Sequence, residues 1–388
     1  MSTVGAAHQR QIQISKPLTA AGPGANAVER NLLSALEALK NYQAAGKRGT
    51  PPPMVARDMR YVAQAIAEVY AQHGADPQAA ARISKAVTAQ VVNGLVNQRV
   101  MDDGDRTGSA LAKKYVDLAK ADGVSRAADP RVPTDPMDNV WSAVNEAGEP
   151  ISPLLPSFGK LSAVIEANRT ARAAAPTFND GDWRDFFAGY ARRTPEQIAS
   201  AKYWADGPGT VTPPGHWNII ATAASQSVGL SVNETAKMMK TLNEALSDAA
   251  VACWDTKFKY ATERPFQAAK RLGIPFKSLL ATPPFPGYPS GHAMFSGAAA
   301  QVLGRSLEGL SAGKTDSLRR SVMGFAQTEV TRQRVRQAGT PVEMFQALAT
   351  EAADSRIFGG IHIEADGVNG LAAGRRIGEN FFNSGLRP

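Results

Sequence analysis

Apolar residues recur at steps of three and four along most of this chain, whereas the strict alternation of a β-strand is scarce. Such steps place apolar side chains on one face of an α-helix. The clearest examples lie at 27–43, 57–74 and 80–95. Capping boxes mark further helix starts at Thr194–Gln197, Ser231–Glu234 and Thr340–Glu343. The pattern predicts an all-α protein.

Prolines divide this helical pattern into two parts. Between about residues 123 and 160 they interrupt any regular element, at positions 130, 133, 136, 150, 153 and 156. We therefore expect a long connection over the surface between two helical bundle lobes. The predicted organisation is an N-terminal tail over 1–25, an N-terminal helical lobe that includes the connection over 26–190, and a C-terminal bundle that holds the functional site over 191–388.

Charge narrows the choice of partners. The 43 Lys and Arg residues against 35 Asp and Glu give a formal net charge of +8, which favours anionic partners. The charges are dispersed and form no basic stripe with interleaved aromatics, so we expect no nucleic acid partner. The sequence leaves open whether copies of the chain form a homo-oligomer.

Two absences in the sequence limit the class of protein. Cys253 is the only cysteine, which excludes an intramolecular disulfide and a cysteine-rich zinc site. No apolar run reaches about 18 residues, and the first residues lack the apolar core of a secretory signal. We therefore expect a soluble protein with no transmembrane segment, cytoplasmic by default.

One predicted helix carries an apolar stripe that ends in a cation. The stripe comprises Val232, Ala236, Met239, Leu242, Leu246, Ala250 and Cys253. The next position on that face is Lys257, a cation that is costly to bury unless an anion meets it. Arg264 follows, and Pro265 favours a helix end before it. Both cations can point into one region; the alternative is a lysine at a helix end with only its stem buried, and a surface arginine.

A second predicted helix repeats this pattern. Its stripe of Val342, Phe345, Ala349 and Ala352 leads to Arg356, after which Gly359 and Gly360 end the helix. His362 follows, with Asp366 four residues later. An aspartate so placed can bind one ring nitrogen and leave the other as a nucleophile or a ligand. The alternative is an ordinary surface pair.

A third segment, 283–304, leads through prolines into a helix of small residues. Ser290 is a natural N-cap, and Gly291 lets a ligand approach the helix N-terminus, where N–H groups and the dipole attract anions. His292 is placed to act as an acid or base. The alternative is a plain capped helix. Because none of the three segments shows the ligand clustering of a zinc or iron site, the predicted guest is a compact, highly charged oxyanion.

The three segments match a signature shared by type 2 phosphatidic acid phosphatases, bacterial class A acid phosphatases and vanadium-dependent haloperoxidases. It reads Lys257-x6-Arg264-Pro265, Pro289-Ser290-Gly291-His292 and Ser355-Arg356-x5-His362-x3-Asp366. The flanking segments 194–210, 215–221, 254–257, 282–298 and 355–362 resemble the vanadium chloroperoxidase-like branch. This resemblance implies a fold of two four-helix bundles and covers about residues 190 to 385.

The resemblance also implies a vanadate cofactor, with vanadium(V) bound by His362 Nε2. The implied ligands of its oxygens are Lys257, Arg264, Arg356, the Ser290 hydroxyl and the Gly291 N–H. His292 would assist deprotonation of hydrogen peroxide, and Lys257 would activate the bound peroxide. Asp206 matches an acidic residue that pairs with the site arginines, and Asp366 orients His362.

The same resemblance places Trp254 and Phe285 on the halide side of the site, which favours chloride competence; the alternative is two core aromatics. Two departures from the family pattern bear on halide preference and affinity. Glu263 either pairs with a site cation or points away, and 363–365 is less aromatic and less basic than is usual after the metal-binding histidine.

The implied activity is oxidation of bromide or chloride with hydrogen peroxide to hypohalous acid, which halogenates a small organic substrate. The alternative within the superfamily is a phosphatase. In that case His362 is the nucleophile that forms a phosphohistidine, and His292 protonates the leaving group.

Overall fold

The structure, a computed structural model, describes residues 139–177, 179–207 and 210–384. The chain divides into two compact units, and one of them, 126–207 with 212–388, contains almost all of these residues. The helices predicted over 27–43, 57–74 and 80–95, the tail over 1–25 and most of the N-terminal lobe lie outside the described residues. The predicted lobe division after residue 190 stays a prediction.

The described residues form eleven α-helices, one short 3-10 helix and no named strand, so the predicted all-α fold class is confirmed. The helices are α1 (Glu166–Arg169), α2 (Asp180–Ala191), α3 (Pro195–Tyr203), α4 (Thr212–Val228), α5 (Val232–Tyr260), α6 (Pro265–Arg271), α7 (Gly291–Ser306), α8 (Ala312–Met323), α9 (Glu329–Gln337), α10 (Pro341–Phe358) and α11 (Glu364–Asn383).

Capping groups set the starts of several helices. The boxes predicted at Thr194, Ser231 and Thr340 are all present: each side chain accepts from the third backbone N–H, and that residue's side chain accepts from the cap N–H. At the other end of α10, Gly360 has φ +78°, a conformation that favours glycine, so the predicted helix end is confirmed.

Helix α7 lies at the centre of the core, packed against α5, α10 and α11. It crosses α11 at backbone contact: a Cβ on Gly374 would lie 2.2 Å from Met294 O, and one on Gly297 would lie 2.5 Å from Leu371 O. The close crossing brings the two helix starts together, where Ser290 N donates to Asp366 O at 3.0 Å. Two parts of the predicted site are thereby joined.

The described part of the proline-rich connection, 139–160, is irregular as predicted, with only the isolated bridges Val140–Thr262 and Val144–Pro150 and a single 3-10 turn. The expectation that it runs over the surface is wrong for its first residues. Trp141 is 1% exposed, and its N–H donates to Ala261 O at 2.7 Å. The segment is held there because it pairs with the chain that leaves α5.

In the part of the chain that the structure describes, no helix combines the length and apolar character needed to cross a membrane.

Candidate active site

The three cations at the ends of the predicted stripes are all buried. Lys257 and Arg264 are 0% exposed and Arg356 is 1% exposed, so the alternative of a half-exposed lysine and a surface arginine is wrong. Met239, Leu242, Leu246, Ala250 and Cys253 of the first stripe are buried or half-buried, whereas the side chains of Val232 and Ala236 lie outside the described residues. We call Lys257, Arg264 and Arg356 the cation cluster.

Lys257 is anchored by the loop that precedes α7. Its Nζ donates to the carbonyl oxygens of Pro286, Gly287 and Pro289 at 2.9, 2.9 and 2.6 Å. Three acceptors around one nitrogen require three N–H groups, so the geometry fits the ammonium form. Burial lowers the pKa of Lys257 to about 7, with Arg264 acting in the same direction. The ammonium is thus short of negative charge, and a bound anion would raise its pKa.

Arg264 connects the cation cluster to the histidine of the third segment. Its Nε donates to Phe285 O at 2.9 Å, and its Nη1 donates to Ile361 O at 2.7 Å and to His362 Nε2 at 3.0 Å. Its Nη2 is buried and has no hydrogen-bond partner among the described residues. Burial lowers the pKa of this guanidinium to about 10. Such an unpaired donor is a natural place for a ligand oxygen.

Arg356 is held by the end of α3. Its Nη2 donates to Ala201 O at 3.0 Å and its Nη1 to Ala205 O at 3.2 Å. Burial lowers its pKa to about 10, and Asp206 opposes this shift. Carbonyl oxygens satisfy the N–H groups but carry no net charge, so the positive charge remains to be balanced.

His362 and Asp366 form a buried pair at the start of α11. His362 Nδ1 lies 2.7 Å from Asp366 Oδ2. Since Arg264 can only donate to Nε2, the proton of a neutral His362 sits on Nδ1 and points at the carboxylate. Burial lowers the pKa of His362 well below its usual value, and all three members of the cation cluster act in the same direction. The ring is therefore neutral, with the Nε2 lone pair directed toward the cations, and the alternative of a surface pair is wrong.

The N-terminus of α7 forms a further part of the site. Ser290 is 0% exposed and caps the helix, its hydroxyl accepting from Ala293 N at 3.4 Å. Gly291 begins the helix, and a Cβ there would meet only the Phe295 ring, at 3.9 Å. An anion can thus approach the N–H groups of this sixteen-residue helix from the Gly291 side.

His292 has the geometry of a base. Its Nε2 lies 2.9 Å from Trp204 O. A carbonyl only accepts, so Nε2 carries the proton and Nδ1 carries the lone pair. Burial lowers the pKa of His292 well below its usual value, with Arg356 the next cause, so the resting ring is neutral and its Nδ1 is unprotonated.

Two aromatic residues pack against each other beside the cation cluster. The rings of Trp254 and Phe285 lie 5.1 Å apart, and Trp254 Nε1 donates to Leu154 O at 3.1 Å. Lys257 Nζ and Arg264 Cζ lie 4.8 and 5.0 Å from the centre of the Phe285 ring. Phe285 therefore contacts the cation cluster and is more than a core aromatic.

The question left open at Glu263 is settled by its ion pair. Its carboxylate lies 2.6 Å from Arg271 Nη2, and Arg271 also binds Asp180 at 2.8 Å. Glu263 thus points away from the cation cluster and does not compete with an anion there.

Asp206 lies near the site arginine but contacts a different residue. Its carboxylate lies 3.0 and 3.2 Å from His216 Nδ1, a buried histidine that sequence reasoning did not single out. The negative charge of Asp206 favours the charged form of Arg356 and raises its pKa against the effect of burial. The only sequence signal for His216 is its place in 215–221, a segment that resembles the haloperoxidases.

A surface cavity of about 650 Å³ lies beside this site and not in it. It is lined by residues next to site residues, such as Ile357 and Ile363, but by none of the cations or site histidines. The chemistry-bearing side chains are more deeply buried than this cavity.

A tetrahedral oxyanion such as vanadate fits the residues present. The cation cluster brings three buried positive charges against two carboxylates, Asp366 and the His216-bound Asp206, and Arg264 Nη2 has no acceptor among the described residues. Burying unbalanced cations is costly unless an anion joins them. Within residues 139–177, 179–207 and 210–384 no three His, Cys, Asp or Glu side chains form a group that could hold a metal ion by themselves.

The chain is similar to several known vanadium haloperoxidases. Residues 237–387 match the family model described as VCPO second helical-bundle domain. A vanadium chloroperoxidase of Curvularia inaequalis is 31% identical over 150 residues, a match that covers 30% of this chain and 24% of that enzyme. The matched stretch is thus about a quarter of that relative's length.

Solved structures with a similar fold include a bacterial vanadium-dependent iodoperoxidase, with TM-score 0.62 and 19% identity, covering 92% of this chain and 96% of that one. A holo-type bacterial vanadium-dependent chloroperoxidase has TM-score 0.62 and 15% identity, covering 100% and 98%. At these identities the likeness defines the fold.

The chain therefore has a helical-bundle fold similar to that of solved vanadium-dependent haloperoxidases, and the resemblance seen in the sequence is confirmed as a similarity to those proteins. The part of the chain that carries this similarity most clearly is residues 237–387, which match the vanadium chloroperoxidase second-bundle model.

Proposed function

We propose that this chain is a vanadate-dependent haloperoxidase that oxidises bromide or chloride with hydrogen peroxide to hypohalous acid, for halogenation of small organic substrates. The observation that carries the proposal is the cation cluster around the Nε2 lone pair of a neutral His362, with Arg264 Nη2 unpaired. The chemistry that vanadate supplies when bound is activation of hydrogen peroxide toward attack by halide.

The residues that would hold vanadate follow from their chemistry. His362 offers the one unprotonated ring nitrogen that faces the cation cluster, and Asp366 fixes its tautomer. Positive charge from the cation cluster balances the oxyanion, while the Ser290 hydroxyl and the Gly291 N–H add hydrogen bonds at the start of α7. Within the cluster, Lys257 is proposed to activate the peroxide.

His292 is proposed to accept a proton from hydrogen peroxide. Its Nδ1 lone pair is available because Nε2–H is held by Trp204 O, and its low pKa keeps the ring neutral. Trp254 and Phe285 are proposed to line the halide side, since Phe285 already contacts two of the cations. An aromatic wall excludes water there and favours chloride as well as bromide.

The second candidate is a phosphatase, favoured by the same His362–Asp366 pair. A neutral imidazole with its Nδ1–H on a carboxylate is also what a nucleophile needs. His362 would then attack phosphorus, the bond to the leaving group would break, and His292, after taking a proton from water on Nδ1, would give that proton to the leaving oxygen.

Paired assays test the proposal against this alternative. Protein loaded with orthovanadate is assayed for bromination and chlorination of monochlorodimedone with hydrogen peroxide, and unloaded protein for hydrolysis of p-nitrophenyl phosphate. We expect halogenation that the variant His362→Ala loses by at least about a hundredfold. Ser296→Ala is the matched control, because Ser296 is buried and bonds Trp217 Nε1, outside the proposed machinery. Phosphate hydrolysis without halogenation would overturn the proposal.

A further inference from the structure

His216 is a buried histidine of α4, 7% exposed, that the proposed chemistry does not use. Its contacts fall on three of the four residues 203–206. Nδ1 lies 3.0 Å from the nearer oxygen of Asp206, and Nε2 lies 3.3 Å from the Tyr203 hydroxyl. Its ring stacks on Trp204, with 4.3 Å between ring centres and 20° between planes. The His216 side chain thus holds Tyr203, Trp204 and Asp206 in place.

Residues 201–206, which we call the 201–206 segment, also contact the site from their other side. The carbonyl oxygens of Ala201 and Ala205 accept from Arg356 at 3.0 and 3.2 Å. The carbonyl oxygen of Trp204 accepts from His292 Nε2 at 2.9 Å. Three carbonyls of this segment therefore orient one of the cations and the proposed base.

The 201–206 segment needs support from its surroundings. Helix α3 ends at Tyr203, and Asp206 has φ +43°, a left-handed conformation that costs energy in residues other than glycine. Trp204 Nε1 is held by Glu351 at 3.1 Å, which fixes the indole but not Asp206. Of the contacts above, the one that reaches Asp206 itself comes from His216.

A second consequence concerns charge. The Asp206 carboxylate lies 3.9 Å from His292 Nε2 and acts on Arg356 through space. Because the Asp206 carboxylate is hydrogen-bonded to His216, it does not form an ion pair with Arg356. The positive charge of Arg356 therefore stays available to a bound anion. A carboxylate released from His216 would compete with that anion.

We propose that His216 is a positioning residue for the oxyanion site: by fastening the 201–206 segment and the Asp206 carboxylate, it sets the positions of Arg356 and His292. The inference rests on the proposed function, because it concerns the same oxyanion, and it extends that function to a residue outside the three-part signature.

Two substitutions of His216 separate its roles. His216→Phe keeps a ring to stack on Trp204 but loses both hydrogen bonds. His216→Asn loses the ring but keeps an N–H close to the place of Nδ1, able to donate to Asp206. The measurements are orthovanadate affinity by titration calorimetry and the midpoint of thermal unfolding without vanadate. Ser296→Ala is the matched control, since it removes the hydrogen bond of the neighbouring Trp217 on the same helix.

We expect His216→Phe to weaken orthovanadate binding by roughly tenfold to a hundredfold, as is typical when a partner behind a ligand is removed. His216→Asn should stay within about threefold of the wild type, and Ser296→Ala should bind like the wild type. Unchanged affinity in His216→Phe would overturn the inference. So would stronger weakening in His216→Asn than in His216→Phe, because that outcome would assign the effect to stacking of the ring and not to its hydrogen bonds.

The design keeps this inference apart from the proposed function. A wild-type chain that binds no orthovanadate would sink the proposed function, and inorganic phosphate then serves as the probe for the same variants. The order of affinities expected with phosphate is unchanged, because the geometry of Arg356 is what is tested.

Discussion

Helix α10 carries two buried charges with opposite surroundings. Glu351, 2% exposed, accepts hydrogen bonds from Ser200 Oγ at 3.2 Å, Trp204 Nε1 at 3.1 Å and Gln327 N at 3.0 Å. Thr328 adds its backbone N–H and its hydroxyl, both at 3.2 Å. Just over one helical turn later, Arg356 belongs to a cluster of three cations near only two carboxylates, Asp366 and Asp206, and Asp206 is bound to His216.

The difference shows which buried charges the protein stabilises with its own groups and which it leaves for a ligand. Around Glu351 the protein supplies enough donors to replace the hydration of a carboxylate. Around the cation cluster it supplies carbonyl oxygens, which satisfy N–H groups but leave the charge unbalanced and Arg264 Nη2 without a partner. We call the hydrogen-bond partners and counter-charges around a buried charge its shell. The shell of Glu351 is closed, because protein groups complete it. The shell of the cation cluster is open, because it lacks the groups that a bound anion would supply.

The largest expected effect tests the open shell. Arg264→Met keeps the length of the side chain and removes its charge, and we expect orthovanadate affinity to fall by roughly a hundredfold to a thousandfold. Relief of the unbalanced charge should offset the lost bonds to Phe285 O and Ile361 O, so the free energy of unfolding should change by less than about 1 kcal/mol. Calorimetric titration and urea unfolding give the two quantities.

Arg319 is the matched control for that variant. Its Nη1 donates to Val335 O and Ala338 O, both at 2.7 Å, at the end of α9 and away from the cation cluster. Arg319→Met should lower stability and leave orthovanadate affinity unchanged. If both arginine variants lost affinity alike, the distinction between open and closed shells would fail.

An intermediate effect is expected at the closed shell. Glu351→Gln keeps the shape but turns an amide toward donors that need acceptors, so the free energy of unfolding should fall by about 2–3 kcal/mol. Urea unfolding at neutral pH measures it. Glu244, whose carboxylate binds Lys240 at 2.7 Å near the surface, is the control, and Glu244→Gln should change stability by less than about 0.5 kcal/mol. A stability loss at Glu351 no larger than at Glu244 would contradict the comparison.

The smallest expected effect concerns Cys253, whose thiolate could have balanced the positive charge of Lys257. Burial raises the pKa of the Cys253 thiol from 9.0 to about 11, so the thiol stays neutral and provides no counter-charge. In the unfolded chain the thiol ionises first, so its contribution to stability is intact below pH 9 and is lost as the pH rises toward 11. Native protein at pH 9 should therefore resist iodoacetamide and react once unfolded, as mass spectrometry would detect. Rapid labelling of Cys253 in the native protein would contradict this expectation, because it would mean that the thiol is ionised beside Lys257.

Much of the site was predictable because its chemistry is written in local patterns. The stripes that end in Lys257 and Arg356 predicted buried cations, since a helix that buries one face buries what continues that face. The spacing of His362 and Asp366 predicted their hydrogen bond for the same reason of helical geometry, and it measures 2.7 Å. The capping boxes predicted helix starts because their hydrogen bonds join residues three apart.

What only the tertiary structure decided joins residues that are distant in the chain. The pairing of Glu263 and Asp180 with Arg271, and that of Asp206 with His216, depend on how helices pack, which no local spacing encodes. The burial of Trp141 within an otherwise irregular connection was missed for the same reason. By itself the sequence determined the helices, their caps and which cations they bury, because these follow from the periodicity of one helix. The open shell around His362 arises only when α5, α7, α10 and α11 meet, since electrostatic balance depends on distances across the whole core.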